Sequence, residues 1–406
     1  MGNFIKMKKI LPIKDDILTL SLPKSDIILT RYLYLKDEVE LALLLSILNK
    51  NESESLFWAY ELYYSGFYKT LFDFIWKIYY DFFATLNPSF ESYLFKKQNE
   101  YYDLNRDDKI IASIVKNLIS REFNTDVFIL RIVSNLFESD DLLYIKNINR
   151  NSLPDVKMQF AHWITIKEYR HLCTFILESK GDIDFVAYYS ILFDLLYVSN
   201  SDIKEKAKYM RNFIKSYDTN INPKILLVSR FLQMVSYDNI KKNNSFLLVD
   251  DAIIEEYKNI NSNLYKPYKI LNDICLYGIN EVKMLNLFKI NRTKYNAIEL
   301  TNMFHDRWLY HASFSPLWHK RIRDKYGYVN YIKMDVSFKS DYYLEEFYDY
   351  YGYEPDEQPI ETQNKHIGPI DATENWFAFY KKYKNNGLIS ICADELEELG
   401  VEPVCY

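Results

Sequence analysis

From about residue 37 to residue 300 the apolar residues of this chain recur at helical spacing almost without interruption, and only a few residues separate one run from the next. Apolar side chains that return every three to four positions make one face of an α-helix. In 69–86, Leu71, Ile75, Tyr79 and Phe83 fall at four-residue steps, and Phe72 and Trp76 widen the stripe. In 107–121, Ile110, Ile111, Ile114, Val115, Leu118 and Ile119 form one face, with Asp107 or Asp108 placed to cap it. The same spacing predicts helices near 125–137, 154–165, 168–179, 184–198, 202–216 and 223–236. Connections this short make neighbouring helices pack antiparallel.

Helical hairpins starting near 107, 154, 184 and 223 suggest an irregular HEAT-like α-solenoid. No signature repeats from unit to unit, so a compact helical bundle is the alternative architecture. Composition bears on the choice of class. Only 9 of 406 residues are Gly, which disfavours folds built on tight turns or phosphate-cradling loops. A hydrophobic share of 49% with 26% charged residues excludes a chain disordered throughout. The 37 Tyr can bury their rings and leave their hydroxyls in water.

The flanks of the helical region, residues 36–300, read differently. Residues 1–35 form an N-terminal arm, where Leu18, Leu20 and Leu22 alternate with Thr19 and Ser21 as a short strand ended by Pro23. Residues 301–406 form a smaller mixed α/β module, aromatic and acidic in character. There Ile332, Met334, Val336 and Phe338 alternate with Lys333, Asp335, Ser337 and Lys339, the pattern of a half-buried strand, and the preceding KYGYVNY supplies a partner strand or a turn at Gly327. A tyrosine-rich helix follows over 341–351, then Pro355, Pro359 and Pro369 interrupt regular structure. A last helix spans about 372–384 with Trp376, Phe377, Phe379 and Tyr380.

Cys173, Cys275, Cys392 and Cys405 are dispersed with no CxxC pair, which fits a reducing compartment. No run is apolar enough for a signal peptide or a membrane span. Gly2 is followed at position 6 by Lys6, where myristoylation wants Ser or Thr. The expected setting is the cytosol or nucleus, with no membrane.

Two candidate surfaces lie in the C-terminal module. Lys320, Arg321, Arg323 and Lys325, flanked by Trp318, Tyr326 and Tyr328, make a basic–aromatic run suited to single-stranded nucleic acid. Cations there can neutralise phosphate while rings stack on bases. The competing reading is intramolecular, because residues 341–361 hold eight acids and no Lys or Arg. Tyr343, Glu345, Glu346, Phe347, Tyr350 and Tyr351 in that acidic stretch either dock into a basic groove of a partner or form a solvated face with their rings turned inward. His305, His311 and His319, near Asp306, lie at steps of six and eight, which one helix cannot bring to one metal ion, although Ser315 and Pro316 break the helix between them. They read better as polar tips in an aromatic cluster, so no metal and no cofactor is expected. His171 and Cys173, two apart on a helix, point away from each other and make no nucleophilic pair. No phosphate-binding loop, GxGxxG, GxSxG or HExxH occurs.

WLYHASFSPLWHKRI, within Arg307 to Ile322, resembles a segment of uncharacterised proteins of large nucleocytoplasmic DNA viruses, the mimivirus-like group. EEFYDYYGYEPDEQP (Glu345 to Pro359) and LFWAYELYYSGF (Leu56 to Phe67) carry the same resemblance. It implies a viral setting, a cytoplasmic virus factory or a virion, and implies no catalytic residues. Helical architecture without catalytic motifs, in that setting, suggests a non-enzymatic scaffold for protein–protein interaction. Its specific form is a translation-initiation scaffold joining a cap-binding protein and an RNA helicase. Tyr383 with Leu388 and Ile389 matches the spacing that cap-binding proteins recognise, and Tyr265 with Ile270 and Leu271 nearly does. Asn385, Asn386 and Gly387 disfavour the helix that motif adopts. The alternatives are a nucleic-acid-binding factor in viral transcription or RNA processing, and a minor virion component.

Overall fold

The computed structural model describes residues 25–103, 107–133, 148–150, 152–178, 183–197, 223–236, 246–258, 295–352, 382–384 and 387–389. The expected strand at 18–22, the helix at 202–216, the body of the 372–384 helix, the three prolines after 352, and Cys275, Cys392 and Cys405 lie outside these residues. Among the described residues the fold is mainly α, with fourteen helices and one two-stranded antiparallel sheet.

The helical part begins with α1 (Lys36–Leu48), α2 (Glu52–Tyr64) and α3 (Tyr68–Ile78), which runs on as a π-helical turn (Tyr79–Phe83). It continues through α4 (Pro88–Asp103), α5 (Lys109–Ile119), α6 (Asp126–Val133), α7 (Leu153–Thr165), α8 (Tyr169–Leu177), α9 (Phe185–Tyr197), α10 (Pro223–Val235) and α11 (Asp251–Lys258). Caps set several starts. The Asn51 side chain accepts from the Glu54 amide at 3.2 Å, and Ser152 caps α7 ahead of a proline in its first turn. At α5 the two aspartates divide their work. Asp107 accepts from the Lys109 amide at 3.0 Å, while Asp108 accepts the Tyr64 hydroxyl at 2.7 Å.

The stripe read in 69–86 is wholly buried: Leu71, Phe72, Ile75, Trp76, Tyr79 and Phe83 all lie in the core. The π turn buries all five of its residues, as a segment enclosed on every side must. Its Asp81 is held there by Arg131 at 2.6 Å.

Stacked repeats touch only their sequence neighbours, and this chain does otherwise. Helix α10 returns to the π turn and α6, and α11 returns to α2 and α5. A buried network fastens the first return. Arg230 on α10 pairs with Glu91 on α4, Glu91 accepts the Tyr80 hydroxyl at 2.8 Å, and Gln233 donates to the Ala84 carbonyl at 2.7 Å. One continuous core joins residues from Tyr34 to Tyr257. Among the described residues the helices pack as a bundle, the alternative architecture of the sequence reading.

A second core belongs to the C-terminal module: α12 (Ala297–Ala312), α13 (Pro316–Asp324), β1 (Gly327–Asn330), β2 (Asp335–Phe338) and α14 (Asp341–Tyr351). It is built with residues of the arm. Ile27, Leu29, Leu33 and Leu35 pack with Leu300, Phe304, Trp308, Trp318, Ile322 and Phe347. These four arm side chains are thus part of the module's interior, while Tyr34, between Leu33 and Leu35 in the chain, packs in the bundle core, as residues of α1 do. Residues 383 and 389, far along the chain, pack against the bundle core instead.

Arg31 joins the two cores. Its Nε donates to Glu61 Oε2 at 2.8 Å, and its other nitrogens donate to the carbonyls of Tyr257 and Lys258 at 3.0 Å, the C-terminal end of α11, where a cation is favoured. Glu61 also accepts the Tyr32 amide at 3.0 Å, and Ser65 accepts the Arg31 amide at 2.7 Å.

Candidate functional site

The C-terminal module assembles both sequence candidates on one small scaffold. Asn296 and Glu299 make a reciprocal capping box at the start of α12. At its end the predicted break occurs: Ser315 caps α13 by accepting the Trp318 amide at 3.3 Å, and Pro316 occupies the first turn. Helix, three-residue turn, helix and hairpin therefore follow one another from 297 to 338.

The basic–aromatic run is largely turned inward. Trp318 is fully buried, meets Trp308 edge-on at 5.5 Å, and donates from Nε1 to the Thr30 carbonyl at 3.0 Å. It is the centre of the module core, so it does not offer a face to a base. Arg321 lies over Trp318 and Tyr351, 4.4 and 4.7 Å from their centroids. Lys325 donates to Glu346 at 2.8 Å and stands 4.5 Å over Tyr350; the bond to Glu346 raises its pKa above the ordinary lysine value. Lys320 pairs with Asp324 one turn on. Of the four cations only Arg323 is exposed with no carboxylate partner among the described residues. Tyr326 is 60% exposed in a left-handed conformation, its ring 4.6 Å from Tyr343.

The acidic helix α14 is divided the same way. Phe347 is buried against Trp318 and Phe338, so as a partner contact it is corrected to a core residue. Tyr343 and Tyr351 are half-buried, and Glu346 is taken by Lys325. What faces outward is a row at four-residue steps, Asp341, Glu345 and Asp349, beside Tyr342 and Tyr350, which are 67% and 69% exposed. No cation among the described residues pairs with these three acids. Gly352, with φ +72°, ends the helix as a left-handed cap.

The strand expected to start at Ile332 starts later. Tyr328 pairs with Ser337 and Asn330 with Asp335, so residues 331–334 form the turn. Asn330 Oδ1 accepts the amides of Ile332 and Lys333 at 3.1 and 3.0 Å, and Met334 takes a positive φ. Ile332 is consequently 95% exposed and not a core residue. The informative signal was Asn330, a residue whose side chain makes turns of this kind. Val329, Val336 and Phe338 face the module, and Tyr328 faces out. At Gly327 a Cβ would lie 2.6 Å from Ile322 Cγ2 and 2.9 Å from the Ile322 carbonyl oxygen, so the close approach of hairpin to α13 needs the glycine.

The three histidines do not converge. His305 is exposed beside Asp306 at 2.9 Å, whereas His311 is buried with a hydrogen bond to the backbone of Ile27, and His319 has one to the backbone of Ser313. Burial pushes His311 down to about 4 and lowers His319 as well. Among the described residues no group of three or more His, Cys, Asp or Glu is gathered as metal ligands would be. Cys173 is free and buried, and burial raises its thiol well above the ordinary range. Tyr383 is buried and donates to Asn49 at 2.9 Å. The amides of Leu388 and Ile389 donate to the buried Asp126 at 2.8 and 3.1 Å, so Tyr383, Leu388 and Ile389 are held against the bundle. No described helix is long and apolar enough to cross a membrane.

Compared with known proteins, the chain matches no family model, no curated protein and no solved structure.

Proposed function

We infer that this chain is a non-enzymatic scaffold whose C-terminal module presents a protein-docking face. The observation that carries this reading is the outward row Asp341, Glu345 and Asp349 with Tyr342 and Tyr350, set on a helix anchored in the module core by Phe347. Carboxylates with no cation partner among the described residues, flanked by rings, suit a Lys- or Arg-rich segment of another protein. Charge complementarity speeds and selects the encounter, and cation–π contacts add affinity. Both Phe347 and the Lys325–Glu346 pair hold the face in one geometry, so little ordering is needed on binding.

In its specific form the scaffold joins a cap-binding protein and an RNA helicase during translation initiation, in the cytoplasm or virus factory of a cell infected by a virus of the resembled group. The bundle would supply the second contact surface. The test is affinity purification of the tagged protein from the cells that make it, with and without nuclease, using the wild type and E345K/D349K. Nuclease-resistant recovery of a cap-binding protein and a helicase, with one of them lost in the charge-reversed variant, is the expected result. Loss of every partner on nuclease treatment, or equal recovery by both proteins, sinks the reading.

A further inference from the structure

Apart from the acidic face, the helix–turn–helix and hairpin present exposed cations and rings. Arg323 at the end of α13, Lys333 in the hairpin turn and Lys339 after β2 are exposed, and no carboxylate among the described residues pairs with them. Residues 306–339 hold seven Lys and Arg against three Asp, in a chain of net charge −6, so positive charge is concentrated here. In the chain between Arg323 and Lys333, Tyr326 and Tyr328 are 60% and 59% exposed. Lys339 is tied to Tyr326 by a backbone bond of 3.2 Å, and its ammonium lies 5.9 Å from the ring centroid. Asp335, the carboxylate on the outer face of the hairpin, accepts the Val336 amide at 2.7 Å.

We propose that this surface binds single-stranded nucleic acid, with Tyr326 and Tyr328 stacking on bases while Arg323, Lys333 and Lys339 neutralise phosphates. Stacking on tyrosine tolerates any base, and phosphate neutralisation supplies affinity that falls with salt. Duplex binding is the less suited mode. A helix–turn–helix that reads duplex DNA inserts the N-terminal end of its second helix into the major groove. Here that end is covered by the bundle: the Leu317 amide donates to the Ser65 carbonyl at 3.2 Å, and Ser315, fully buried, donates to the same oxygen at 3.3 Å. At Gly66 an added Cβ would lie 2.7 Å from Pro316 Cβ, which measures how closely the two meet. The free surface is the hairpin's outer side, where exposed rings and not a helix end are offered.

The full chain is titrated, by fluorescence anisotropy, into labelled oligo(dT) and oligo(rU) of about 20 nucleotides and into a duplex of equal length, at several salt concentrations. Binding to either single strand in preference to duplex is expected, and the relative affinity of the two strands tells DNA from RNA. Tyr328→Ala should weaken binding about tenfold. R323A/K333A/K339A should reduce the slope of log K against log salt by about two, and Lys320→Ala, a cation already paired, should stay within about twofold. Circular dichroism melts of each variant separate lost binding from lost fold; all five positions are exposed, so melts within a few degrees of wild type are expected. No binding at low salt, tighter binding to duplex, or equal losses in Lys320→Ala and Tyr328→Ala overturns the proposal. This outcome is independent of the E345K/D349K experiment, which alters a different face.

Discussion

His311 and Asp126 are both buried, and burial moves their protonation in ways that oppose each other in stability. Asp126 is pushed up to about 6, with its two amide hydrogen bonds working against the shift. Between the ordinary carboxylate value of about 3.9 and 6, the folded chain binds more protons there than the unfolded one. That contribution is full at low pH and is lost as pH rises through 6. His311 is held down at about 4 by the same physics acting on a cation. Its contribution is full above about 6.5 and is lost as pH falls toward 4. Each effect is on the order of 3 kcal/mol over its window. Asp126→Asn should therefore make stability climb more steeply between pH 4 and 6 than in the wild type, and His311→Gln should make it climb less or fall. Chemical denaturation at a series of pH values reads both slopes, and parallel profiles for the two variants would contradict these assignments. A third residue-scale prediction concerns Gly327. Ala there must displace the Ile322 backbone or the hairpin, at roughly 1–3 kcal/mol by the usual cost of overpacking, read as a lowered midpoint of unfolding.

At the scale of elements, the joint between arm, α2 and α11 is the point of highest consequence. Removing Arg31 leaves Glu61 buried without its cation and with only neutral donors. Arg31→Met should cost about 3–5 kcal/mol, whereas R31M/E61M should recover a large part of that, because a buried pair replaced whole is far less damaging than one broken. A double-mutant cycle by urea denaturation measures the coupling, and additive losses would show that the pair acts through packing alone. Trp318 makes a second element-scale case. Trp318→Phe keeps an aromatic ring in the module core but abandons the Thr30 carbonyl, for about 1–3 kcal/mol. Its effect on nucleic-acid binding should be small, since the ring never reaches the surface. Periodicity alone could not have said so. A tryptophan beside four cations reads equally as a stacking platform and as a core residue until Thr30, 288 positions away in the chain, is seen to lie against it.

Over the whole molecule, the two cores share segments in a way that chain order hides. Ile27, Leu29, Leu33 and Leu35 serve the C-terminal module, and Tyr383, Leu388 and Ile389 serve the bundle. Amide exchange should follow this partition. Residues 27–35 are expected to open together with α12 to α14, and Leu388 and Ile389 together with α6, when followed by mass spectrometry. An arm that exchanges ahead of α13 would show that its packing adds little to the module.

The amino-acid order by itself carried the helices, the break at Ser315–Pro316 and the helix over 341–351, because apolar period and capping chemistry act within a few residues. It also contained the cations, acids and rings of both candidate surfaces. Which of them are surface at all was a tertiary decision. Lys325 and Glu346 found each other, Arg321 lay down on Trp318, and α10 and α11 came back across the bundle. Those choices rest on contacts between residues tens to hundreds of positions apart. Long-range contacts of that kind, between side chains of ordinary type, leave no periodic trace in a single sequence.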